Sequence, residues 1–101
     1  MKFLVRPAFW TDLDRHHYWL TRYVRPDVAE KWVEATWNTV LFLREHPEFG
    51  RVRADVRHPG VRTWLVQGFP RWTVFYGIKD NFLVLYRIEG GETNLRRLMV
   101  G

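Results

Sequence analysis

Three arginines and a tyrosine in the second half of the chain are the residues whose types and places could do chemistry. Arg62, Arg71 and Arg87 fall in or beside runs that read as strands, and Tyr76 lies between them. Brought to one uncovered sheet face, guanidinium groups beside an aromatic ring form a platform on which an unpaired RNA base can stack while cations hold its phosphates. The same residues have a plainer reading, with Tyr76 in the core and Arg87 in a salt-bridge network with Glu89 or Glu92. Those two glutamates could serve as a base, although a turn carboxylate is usually just solvated. His16-His17 suggests a metal, but neighbours on a helix point about 100° apart and no third ligand recurs at helical spacing. His17 is therefore read as a packed residue, and neither metal nor cofactor is expected. His46 and His58 flank loop prolines and are given no role.

The elements that must position these residues are legible from periodicity. Between Gly60 and Gly91 lie three runs rich in β-branched and aromatic residues, Val61 to Val66, Trp72 to Ile78 and Phe82 to Ile88. Gly68-Phe69-Pro70 and Lys79-Asp80-Asn81 separate them, which predicts a three-stranded antiparallel meander. In the last run Phe82, Val84, Tyr86 and Ile88 alternate with Leu83, Leu85 and Arg87. Both faces are apolar until Arg87, so this strand is predicted to be central and covered on both sides.

The cover must come from the first half. Lys2 to Arg6 alternates Phe3 and Val5 against Lys2, Leu4 and Arg6, a short strand expected to join the sheet edge. Pro7 suits the first turn of a helix. Leu13, His17, Leu20 and Val24 recur at helical spacing, with Phe9 and Trp10 opening the stripe. That helix should end by Arg25, because Pro26 disfavours helical geometry in the residue before it. Asp27 and Glu30 read as a capping box for a second helix, whose apolar stripe is Ala29, Trp32, Val33, Thr36, Trp37, Val40 and Leu43 and which stops at His46-Pro47. The predicted fold is α+β in the order β-α-α-β-β-β, an antiparallel helical hairpin packed on one face of the sheet. The basic segment between Gly50 and Gly60 reads as loop or a frayed edge strand, and the absence of repeats or linkers predicts one domain over residues 1–101.

Composition narrows the class of function. With 47% hydrophobic and 27% charged residues the chain is globular rather than disordered. It has no cysteine, which excludes disulfides and thiolate chemistry and fits a reducing cytoplasm. The brief apolar start is too short for a signal peptide and no apolar span is long enough for a membrane helix, so no membrane partner is expected. The net charge of +5 arises wholly in residues 51–101, where nine Lys/Arg face four Asp/Glu; the first fifty hold seven of each. A basic sheet half calls for an acidic partner. Trp19 and Tyr23 at the flank of the first helix stripe, and Phe42 opposite the second, point to a protein interface.

The local wording carries a resemblance: Asp12-Leu13, His46-Pro47-Glu48-Phe49-Gly50-Arg51, Pro59-Gly60-Val61-Arg62, Val74-Phe75-Tyr76, and Tyr86-Arg87-Ile88 before Gly91. In this order and spacing, from about Phe3 to Leu98, the chain resembles the ParE/RelE superfamily of bacterial toxin components. The resemblance implies a small toxin held inactive by a cognate antitoxin. It would act either on DNA gyrase, as ParE-like members do in plasmid maintenance and growth inhibition, or as a ribosome-dependent mRNA endonuclease, as RelE-like members do. One departure bears on the choice. The position before the final glycine, often His in family sequences, is Gly90, and the tail Glu92 to Met99 supplies no His or Tyr. RNA cleavage through the 2′-hydroxyl needs a positioned base and acid, so the chain reads as closer to ParE, a gyrase inhibitor with no catalytic residue of its own. The endonuclease alternative would use Arg62, Arg71, Tyr76 and Arg87. The expected partner is an acidic, partly disordered, ParD-like antitoxin in a hetero-oligomer with the toxin. Its apolar anchors would lie near Trp19, Tyr23 and Phe42, and its carboxylates near Arg62, Arg71 and Arg87.

Overall fold

The computed structural model of the chain describes residues 1–53 and 60–90. Strand β1 (Lys2–Val5) leads into helix α1 (Pro7–Tyr23), helix α2 (Pro26–Glu45) and a 3₁₀ turn (Pro47–Phe49). Strands β2 (Arg51–Val52), β3 (Arg62–Val66), β4 (Phe69–Lys79) and β5 (Phe82–Glu89) follow. They form one five-stranded sheet in the order β1-β5-β4-β3-β2, antiparallel except where β1 runs parallel to β5 from Lys2/Phe82 to Val5/Leu85. The predicted α+β architecture, with its edge-joining first strand and C-terminal meander, is the one observed, and no helix falls between Val61 and Ile88.

The meander closes where turn chemistry allows. Asp80 and Asn81 take left-handed φ of 51° and 65°, the two-residue geometry that matches the twist of a hairpin, and polar side chains of this kind tolerate it. Gly68 turns β3 into β4 at φ 84°. β4 starts three residues earlier than its β-branched run suggests. Val66 pairs with Phe69 while Leu65 pairs with Thr73, so Pro70 sits in an irregularity where no ladder N–H is required.

β5 is central as expected, lying between β1 and β4 and buried on consecutive residues Leu83, Val84 and Leu85, while the two residues of β2 add a fifth strand outside β3. Two expectations need correction. The buried stripe of α1 is Phe9, Asp12, Leu13, His16 and Leu20; His17 faces outward to Glu30 at 3.0 Å, while Trp10 and Val24 are exposed. The helix is rotated by about one residue from the apolar pattern, because Asp12 and His16 bond to the backbone of β5. Asp27 is not an N-cap either. Pro26, with fixed φ and no N–H, takes the first helical position, extended Arg25 precedes it, and Asp27 accepts from the Arg25 Nε and Nη2 atoms.

The core fills the layer between helices and sheet. Phe9, Leu13 and Leu20 of α1 and Ala29, Trp32, Val40 and Leu43 of α2 pack on Val66, Trp72, Val74, Tyr76, Leu83, Leu85 and Ile88. Trp32 is fully buried, with ring contacts to Trp72 at 5.8 Å and His16 at 5.8 Å. Truncating such a ring typically costs about 3–5 kcal/mol. Arg44 of α2 lies over the Phe3 ring at 4.8 Å, tying β1 to the hairpin.

Candidate functional site

Tyr76 points from β4 into the core and is fully buried. Its hydroxyl donates to the Pro47 carbonyl at 2.6 Å and accepts from the Gly50 N–H at 2.8 Å. Burial pushes the phenol above its ordinary range, with the Gly50 hydrogen bond and the Arg62 charge pulling back. A side chain at Gly50 would run into the Tyr76 ring, so the close approach of backbone to phenol requires glycine there. Arg62, opposite Tyr76 in the β3–β4 register, donates through Nη1 to the Gly50 carbonyl at 2.8 Å and the Glu48 carbonyl at 3.2 Å. Together the pair pins residues 47–50, the exit from α2, to the sheet.

Arg87 is engaged at a different place. Asp12 is 1% exposed and accepts from Arg87 Nε at 2.6 Å and Nη2 at 2.9 Å, from the Ile88 N–H at 3.1 Å and from Arg15 Nη2 at 3.1 Å. His16, one turn on, meets the Ile88 carbonyl through Nε2 at 3.0 Å, which makes Nε2 the protonated nitrogen. α1 thus satisfies both polar atoms of the Ile88 peptide. The Asp12 hydrogen bond raises Arg87 above its already high value. Arg71 stands exposed near the start of β4, with no ion pair among the described residues. The platform of three arginines and a tyrosine is therefore not assembled: Arg62 and Tyr76 share one end of α2, Arg87 lies on α1, and Arg71 is apart from both. Glu89 is half-buried at the end of β5; Glu92, His58 and the tail through Met99 lie outside the described residues.

The aromatics also divide. Trp19 is half-buried with Tyr23 at 5.9 Å, and Tyr23 is 67% exposed. Phe42 stacks on Trp64 at 6.0 Å and meets Phe49 at 5.5 Å and His46 at 5.0 Å. The contacts His17–Glu30 and Phe9–Trp37 set the antiparallel register of the hairpin. At 1.5 Å per residue that register puts Phe42 roughly 20 Å along the hairpin from Trp19. They form two patches rather than one. Beside Phe42 runs an apolar cleft of about 710 Å³, lined also by Trp64, Leu65, Val66, Gly68 and Pro70.

In the sequence Asp12 counts only toward the resemblance and His16 only as a candidate metal ligand, yet a signal for their buried role was present. Two polar residues at i and i+4 within an apolar stripe can only be accommodated if each finds a buried partner. Among the described residues no three His, Asp or Glu side chains gather to hold a metal ion, and no helix is long and apolar enough to cross a membrane.

A family model described as the ParE toxin of the type II toxin-antitoxin system parDE matches residues 3–97. Among solved structures, a chain of the chromosomal ParDE TA system from P. aeruginosa superimposes with a TM-score of 0.74 at 22% identity, covering 89% of this chain and 95% of that one. No curated protein matches at a significant level. With the match running almost end to end over the strand, helical hairpin and meander described above, the chain belongs to the ParE toxin family of type II toxin-antitoxin systems.

Proposed function

We propose that this protein is a toxin that inhibits DNA gyrase in the cytoplasm, without catalytic groups of its own, and that an acidic, partly disordered antitoxin neutralises it. The observation that carries the reading is the engagement of the groups an RNA-cleaving site would need. The Tyr76 phenol is sealed between Pro47 and Gly50, Arg62 holds backbone carbonyls, and Arg87 is paired with Asp12. A gyrase poison needs only a surface complementary to another enzyme's DNA-cleaved state.

For the antitoxin, the reading assigns the Trp19–Tyr23 patch and the Phe42 patch as separate apolar anchor points, with Arg62, Arg71 and the half-exposed Arg87 guanidinium facing its carboxylates. Supporting it are the basic sheet half and the charge complementarity it offers. The test adds purified protein to gyrase and plasmid and, separately, to a translating ribosome. Gyrase-dependent DNA cleavage with intact mRNA is expected. Cleavage of mRNA in the ribosomal A site, with gyrase unaffected, would overturn the reading and return Arg62, Arg71, Tyr76 and Arg87 to a catalytic role.

A further inference from the structure

β3 has an open stretch of backbone between two closed ones. Arg53 donates its N–H to the Val61 carbonyl at 2.9 Å, and Arg51 lies opposite Thr63. Polar backbone atoms of alternate residues in an antiparallel strand point to alternate edges, so Val61, Thr63 and Leu65 turn N–H and C=O away from β4, and Gln67 follows in the turn. Arg53 meets Val61 and Arg51 of β2 meets Thr63, and the Thr39 hydroxyl accepts the Gln67 N–H at 3.0 Å. Continued register would bring Phe49 opposite Leu65. Phe49 belongs instead to the 3₁₀ turn and gives its N–H to the His46 carbonyl at 3.1 Å. Among the described residues no strand pairs with Leu65 on this edge, and Leu65 is 51% exposed.

The surroundings of that gap have two chemistries. Successive side chains alternate between faces, which puts Thr63 and Leu65 on one face of β3 and Trp64 and Val66 on the other. The first face opens on a cleft of about 620 Å³ lined by Arg51 and Arg53, the second on the Phe42–Trp64 cleft. Among the described residues neither lining contains a carboxylate.

We propose that the Leu65 edge is a peptide-docking site for one extended, acidic segment of the antitoxin. One residue of the segment exchanges backbone hydrogen bonds with Leu65 and points a carboxylate to the Arg51–Arg53 face. Its two neighbours, pointing the other way, place apolar side chains against Phe42 and Trp64. The proposal rests on the reading that an antitoxin neutralises this chain, and it places part of that contact on an edge rather than on the helices.

Amide hydrogen exchange on labelled toxin, free and in complex with its co-purified antitoxin, tests it. The Leu65 amide should exchange at least about tenfold more slowly in the complex. Leu65→Pro removes only an outward N–H, a place where an edge strand tolerates proline. Loss of one such bond should weaken antitoxin binding about three- to tenfold, while Leu65→Ala, which keeps the N–H, stays within about threefold. A complex that forms with the Leu65 amide exchanging as in the free chain overturns the edge assignment and leaves neutralisation standing. Concentration-dependent protection of Leu65 without antitoxin also overturns it, since a second copy then occupies the edge. A chain that binds no antitoxin overturns both. Should Leu65→Pro fail to fold, the exchange measurement on the unaltered protein decides.

Discussion

Replacing Asp12 by alanine should unfasten α1 from β5. The carboxylate is buried and accepts from the Ile88 N–H, from Nε and Nη2 of Arg87 and from Arg15. Leaving the buried Ile88 amide without an acceptor costs about 1–3 kcal/mol. The Arg87 bonds are charge-assisted, but the side chain is 48% exposed, so water takes back much of their worth and about 1 kcal/mol remains. The exposed Arg15 contact adds little. The loss is then roughly 2–4 kcal/mol out of the 5–15 kcal/mol typical of a domain. At about 4–8 °C per kcal/mol, the melting temperature should fall by roughly 8–32 °C, measured by circular dichroism with urea titration alongside. A cycle with Arg87→Ala should give a coupling of about 1 kcal/mol, because the two side chains share their bonds. A loss under about 0.5 kcal/mol for Asp12→Ala, or strict additivity with Arg87→Ala, would refute the clasp.

Tyr76→Phe should cost about 1–3 kcal/mol in a urea titration, since it strands the Gly50 N–H and the Pro47 carbonyl. Burial raises the phenol in the folded state, so its contribution is complete below the unfolded tyrosine value of about 10 and is lost as pH rises through the folded value. The urea midpoint should accordingly fall above about pH 10 more steeply in the unaltered protein than in Tyr76→Phe; equal slopes would count against it. Gly50→Ala should destabilise by about 1–3 kcal/mol through the clash with the Tyr76 ring, a shift visible in thermal melts. In titration calorimetry against antitoxin, Trp19→Ala or Phe42→Ala should cost about 2 kcal/mol or more and Arg71→Ala no more than about 1 kcal/mol. Added salt should mainly slow association in stopped-flow measurements. An arginine variant that loses most would misplace the anchors.

The sheet was legible because its signals are local. Asp80-Asn81 and Gly68 mark the turns, and β-branched runs mark the strands between them. The rotation of α1 was not, because apolar counting weighs Val24 and Trp10 above Asp12 and His16, whereas the long-range bonds to Ile88 decide the face. The sequence placed Arg62, Tyr76 and Arg87 on strands correctly but could not say which groups they meet. Tyr76 and Arg62 find the backbone at 47–50, and Arg87 finds a carboxylate 75 residues earlier. Residue type suggested a platform; tertiary partners made these side chains fasteners. β2 was ambiguous for a simple reason, being only two residues long.

A stoichiometric titration of gyrase tests the central claim most directly. Supercoiling of relaxed plasmid by a fixed amount of gyrase is followed as toxin is added, with antitoxin restored at the end. A toxin that works by binding should reach full inhibition near equimolar or higher toxin, accumulate gyrase-linked cleaved DNA, and lose both effects when antitoxin is added. Supercoiling that continues unchanged at a large molar excess of folded toxin would contradict the account.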